Sequence, residues 1–136
     1  MKTNFLSKKH KTLFIHIPKT GGATIKCYLI TDFKRIEGNI PKDAYDFSFA
    51  FTRNPFARFC SALSMFKYGS AWQRKPNGNL SVGRAIAILE DETIGHDNIP
   101  EDFEQYFKHH MIPMTHTYNN IDLAENIYKF EEYNRA

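Results

Sequence analysis

A lysine, a threonine and two glycines stand together at Lys19, Thr20, Gly21 and Gly22, directly after Pro18, in the string HIPKTGGAT. A cation, a hydroxyl and a stretch of backbone free of Cβ atoms are what an oxyanion needs: charge, a short donor, and main-chain N–H groups able to crowd round it. A second set lies farther along in RNPFARFCSAL, where Arg53 is followed by Ser61. Arginine offers a planar fork of donors that matches phosphate geometry, and serine adds one hydroxyl. The chemistry both sets suggest is the binding of phosphate or sulfate esters.

The elements that must carry these residues follow from the apolar pattern. The run Leu13, Phe14, Ile15 and Ile17 breaks at Pro18, and Ile25, Tyr28 and Leu29 then recur at helical spacing. This predicts a strand over 12–17, a glycine loop, and a helix over 22–31 whose positive dipole end faces the loop. A second run, FSFAFT, predicts a strand over 47–52 that ends at Arg53. Asn54 is a favoured helix cap and Pro55 a favoured first helical residue, so the next helix begins there. Phe56, Phe59, Cys60, Leu63 and Phe66 form its expected apolar face. Ser61 then lies roughly 10 Å along the helix axis from Arg53, close enough for both to reach one phosphate group.

The first loop is not the nucleotide triphosphatase pattern GxxxxGK[ST], because its lysine precedes both glycines. His16 to Gly22, HIPKTGG after a buried strand, resembles instead the 5′-phosphosulfate loop of sulfotransferases, in particular the carbohydrate-type branch. Ala23 and Thr24 stand where that branch usually has Thr and Ser, so one expected hydroxyl is missing. RNPFARFCSAL is similar to the family's 3′-phosphate site, with Arg53 and Ser61 in the matching places. A weaker likeness continues through His110, Pro113 and Met114, and then Tyr128, Lys129, Phe130, Glu131 and Glu132.

The resemblance implies an α/β fold, a P-loop-like three-layer sandwich with a central parallel sheet, as a single domain over 1–136 that is short at its C-terminus. It implies 3′-phosphoadenosine 5′-phosphosulfate (PAPS) as co-substrate, no metal, and a hydroxylated acceptor such as a carbohydrate. The nucleotide would be held by Pro18, Lys19, Thr20, Gly21, Gly22, Ala23, Thr24, Arg53 and Ser61. Lys19 is also the catalytic candidate for stabilising charge on the leaving phosphate. In the family the base that takes the acceptor's proton is a histidine or glutamate, commonly in the connection before the arginine strand. Glu37 is the only glutamate in that connection, which holds no histidine, and His110 is the second candidate.

Composition fits one modest domain: 136 residues, a net charge of +3, and twelve Phe with seven Tyr to fill a core. The charge suits an anionic ligand without suggesting a nucleic-acid coat. Residues 1–11 read as a basic lead-in, 32–46 as a connection with turns near Gly38 and Pro41, and 68–80 as a long loop. Ser81 is expected to cap a helix to about Glu90, and short helical and strand segments are expected over 101–109 and 121–130. Cys27 and Cys60 are expected to be buried free thiols in a cytoplasmic protein with no transmembrane segment.

Four other readings compete. Ser64 with Lys67 and the Lys19 to Gly21 string KTG could suggest a penicillin-binding serine enzyme, but in the reverse order and on too short a chain. His109, His110 and His116 lack metal-ligand spacing. A small-molecule kinase or a nucleotide-binding module without catalysis uses the same loop physics.

Overall fold

The computed structural model of the chain describes residues 4–22, 25, 32–70 and 73–135. It is a mixed α/β structure with a five-stranded sheet and, among the described residues, three α-helices. The strands are β1 (Asn4–Ser7), β2 (Thr12–Ile15), β3 (Lys34–Ile36), β4 (Phe47–Thr52) and β5 (Asn126–Lys129), in the spatial order β3-β1-β2-β4-β5. β2, β4 and β5 run parallel, as the βα reading requires, while β1 and β3 add antiparallel pairs on the other side of β2. The sheet is therefore mixed rather than wholly parallel.

The chain packs as two compact units, 1–54 with 113–136, and 55–112. In the first, strict alternation gives the sheet two faces of different chemistry. Leu6, Leu13, Ile15 and Ala50 are buried together with Ile17 on one side, where Ile40, Ile121 and Leu123 pack on them. Phe5, Phe14, Phe49 and Phe51 stand on the other, with Phe14 and Phe49 stacked at 5.0 Å. Buried Ser48 locks the segment before β5 in place, donating to the Leu123 carbonyl at 2.7 Å and accepting from the Glu125 N–H at 2.9 Å.

The expected lead-in is in fact β1 and a tight connection to β2, closed at the Ser7 and Thr12 pair. Lys11 takes a left-handed conformation (φ 47°) where hairpin turns usually place glycine or asparagine. The Ser7 hydroxyl accepts from the His10 N–H at 3.0 Å to hold the turn. β3 likewise arises within the expected connection, through its pairing with β1.

In the second unit, helices α1 (Pro55–Tyr68), α2 (Val82–Glu90) and α3 (Phe103–His110) surround Phe66. Phe103, Tyr106, Phe107 and His110 all meet that ring edge to face, at 5.1–5.4 Å. Ser81 caps α2 as expected, and Asp102 caps α3 by accepting from the Gln105 N–H.

The expected apolar face of α1 holds at Phe66, with Phe59 and Leu63 partly buried against the same core, but the buried set also takes in Arg58, Ala62 and Met65, whereas Phe56 is 82% exposed and Cys60 is exposed. The reason is Arg58. Its guanidinium donates to the carbonyls of Ile112 at 2.8 Å and His110 at 3.1 Å, satisfying acceptors at the end of α3. Burial pulls its pKa down to about 10, so it stays charged at neutral pH. The expected helix over 22–31, with Ala23, Thr24 and Cys27, lies outside the described residues except for Gly22 and Ile25, which are helical. Among the described residues no helix is long and apolar enough to cross a membrane.

Candidate functional site

The register decides which loops meet. β2, β4 and β5 all end at one edge of the sheet, with Ile15 beside Ala50 and Thr52 beside Lys129. β1 begins there and β3 ends there, since Asn4 pairs with Ile36 and Phe5 with Phe14. One edge therefore gathers the 16–22 loop, Glu37, Arg53 with Asn54, and Phe130 with Glu131. The carboxyl ends of parallel strands are where open α/β sheets bind ligands.

Within the loop the backbone is unusual at two positions: Lys19 has φ 64° and Gly21 φ 85°. A left-handed residue is cheap for glycine and costs about 1–2 kcal/mol for lysine. Gly22 lies so close to the His16 ring that a Cβ there would meet its Cδ2 and Nε2 and the imidazole would have to shift. His16 is itself tied to β1, its N–H donating to the Asn4 side-chain oxygen at 3.2 Å. Helical bonding begins where the Ile25 N–H donates to the Gly21 carbonyl at 3.3 Å. Thr20 is 1% exposed, and its hydroxyl donates to the Ile17 carbonyl at 2.7 Å. Its single proton is thus spent on the loop itself.

Arg53 arrives from β4 beside this loop. Its Nη1 donates to the Lys19 carbonyl at 3.3 Å, and its Cζ lies 4.4 Å from the centre of the Phe130 ring. Its Nε is buried and has no hydrogen-bond partner among the described residues. Burial, and then repulsion from Arg53, hold the Lys19 pKa below the usual lysine value. Asn54 donates its main-chain N–H to Glu131 Oε1 at 2.6 Å, and this bond holds the Glu131 carboxyl below the ordinary carboxylate range.

The sequence-derived residues divide as follows. Pro18, Lys19, Thr20, Gly21, Gly22 and Arg53 come together at this edge, while Ala23 and Thr24 lie outside the described residues. Glu37 is at the same edge, after β3, two strands from β2 and so about 10 Å across the sheet. It is exposed and pairs with Arg35 at 3.1 Å. Ser61 is partly buried on α1 of the second unit. His110 belongs to that unit too, its Nδ1 2.8 Å from the Tyr106 carbonyl and its ring 4.5 Å from the Tyr106 ring. Asn4, Phe130 and Glu131 join the edge without having been singled out as site residues. Asn4 carries no sequence signal, whereas the FEE string directly after a strand pattern could have marked the other two.

Comparison with protein-family models, curated proteins and solved structures yields no match for this chain.

Proposed function

We propose that the chain is a sulfotransferase-like domain of P-loop-like, three-layer type that takes PAPS and passes its sulfuryl group to a hydroxyl of a carbohydrate or other small acceptor. The observation that carries this reading is the meeting of Lys19 and Arg53 at the carboxyl edge of two neighbouring parallel strands. Two cations held this close repel, and an anion between them would remove that cost and be bound by it. The chemistry of the edge fits such a group: a buried Arg53 Nε without a partner among the described residues, and glycine backbone at Gly21 and Gly22, the latter close against the His16 ring.

PAPS would supply the sulfuryl group as co-substrate. Lys19 would hold positive charge where negative charge grows on the leaving phosphate, which favours the transition state over the ground state. Arg53 would hold the 3′-phosphate. Glu37 would take the acceptor's proton, its carboxylate lying at the same edge and not in the anion loop.

A second reading is a nucleotide-binding module without catalysis, favoured by the commitment of the Thr20 hydroxyl to Ile17 and of Glu37 to Arg35. Incubation with sulfur-labelled PAPS and a panel of sugar and phenol acceptors separates the two. Label transfer that depends on acceptor supports the enzyme; binding without turnover favours the module; neither binding nor turnover rejects both.

A further inference from the structure

We propose that Phe130 and Glu131 are positioning residues for the anion site: the Phe130 ring fixes the plane of the Arg53 guanidinium, and the Glu131 carboxylate fixes the main chain that carries it. The inference rests on Arg53 being an anion ligand. β5 pairs with β4 in parallel register, Thr52 beside Lys129, so the next residue on each strand, Arg53 and Phe130, leaves the sheet side by side. The ring then sits 4.4 Å from Cζ, within cation–π range.

The Lys19 carbonyl takes Nη1. With the ring against one face and that carbonyl at one corner, rotation about the outer side-chain bonds is blocked. The buried Nε, which has no partner among the described residues, is held in one direction as a donor. An arginine that must choose its direction on binding loses side-chain freedom at that moment, whereas one already held does not. Glu131 acts one residue farther on. Its Oε1 accepts from the Asn54 N–H at 2.6 Å, and the following residue, Pro55, has no N–H to offer. The corner behind Arg53 is thereby pinned by a charge-assisted bond.

The test uses the full chain with Phe130→Leu, Phe130→Tyr, Glu131→Ala and Glu131→Gln. The first readout is the Arg53 Nε–H signal in proton–nitrogen correlation spectra, assigned by its loss in Arg53→Lys. In the unsubstituted protein it should be displaced by the ring current and slow to exchange with water. Phe130→Tyr and Glu131→Gln should preserve this, since a ring and an acceptor oxygen remain. Phe130→Leu should return the signal to the position of a free arginine, and Glu131→Ala should broaden it.

The second readout is affinity for adenosine 3′,5′-bisphosphate, expected to fall roughly five-fold in Phe130→Leu and to stay within about two-fold in Phe130→Tyr. An unchanged Nε–H signal in both Phe130→Leu and Glu131→Ala overturns the proposal. If Phe130→Leu does not fold, the Glu131→Ala and Glu131→Gln pair decides it by the same signal. If the nucleotide does not bind at all while the signal responds as described, the positioning stands and the PAPS reading falls.

Discussion

The Arg53 guanidinium donates to the main-chain carbonyl of Lys19, at 3.3 Å, and so joins the end of β4 to the loop that follows β2. A long-range bond between two strand ends, made by one cation to the backbone of another cationic residue, brings both charges to one place. Burial and the repulsion from Arg53 both hold the Lys19 pKa down, and under the proposed reading a bound anion would offset that cost.

Lys19 combines a catalytic candidacy with a left-handed backbone. Lys19→Ala should lower turnover far more than it weakens binding of the desulfated nucleotide; equal losses would make Lys19 an anchor only. Lys19→Gly should be equally inactive yet more stable than Lys19→Ala by about 1 kcal/mol, because glycine accepts the positive φ. Chemical denaturation of the two variants measures that difference.

Ligand stabilisation should depend on pH with a definite sign. The folded-state pKa of Lys19 lies below its ordinary value of 10.5, so the unfolded chain binds the proton more tightly and burial of the charged amine opposes folding at lower pH. A bound anion reverses that preference. Thermal stabilisation by adenosine 3′,5′-bisphosphate should therefore be full near neutrality and decline as pH rises through the lowered pKa, before 10.5 is reached. In Lys19→Ala this decline should vanish, and its persistence there would place the titrating group elsewhere.

Gly22 and His16 should behave as a coupled pair. Gly22→Ala drives a Cβ into the imidazole and should destabilise by about 1–3 kcal/mol. Adding His16→Ala should recover much of that loss, a double-mutant coupling that a simple helix-propensity effect would not produce.

Glu37→Gln should abolish sulfuryl transfer while leaving nucleotide affinity intact. His110→Asn should cost stability, because His110 packs on Phe66 and Tyr106, and should leave transfer in the remaining folded protein nearly unchanged. Near-normal turnover of Glu37→Gln would move the base to another residue.

Punctuation made the main elements readable in the sequence. Pro18 marks the end of the β2 run, although the strand itself stops at Ile15, two residues short of the expected end; FSFAFT is β4 without adjustment, and the Asn54–Pro55 and Ser81 signals begin α1 and α2 where they should. β1 and β3 were not readable, because NFLS and KRI lack the β-branched apolar run of TLFI and exist through pairing. The apolar face of α1 was read correctly at Phe59, Leu63 and Phe66 and misread at its edge for a physical reason: residue type assigns a phenylalanine inward and an arginine outward. Arg58 is buried because two carbonyls need its donors, and Phe56 stands exposed. Thr20 was read as a donor to the ligand, and only its hydrogen bond to Ile17 reveals an internal use. The Lys19 and Arg53 pairing required knowing that β2 and β4 are neighbours, which spacing alone does not supply.

The most direct test of the account is calorimetric titration of the full chain, and of Arg53→Ala, with adenosine 3′,5′-bisphosphate and with adenosine 5′-phosphate. The unsubstituted protein should prefer the bisphosphate by roughly ten-fold or more, the worth of a bidentate charge-assisted contact, and Arg53→Ala should bind both about equally weakly. Equal affinity of the unsubstituted protein for the two nucleotides, or a preference that survives in Arg53→Ala, would contradict it.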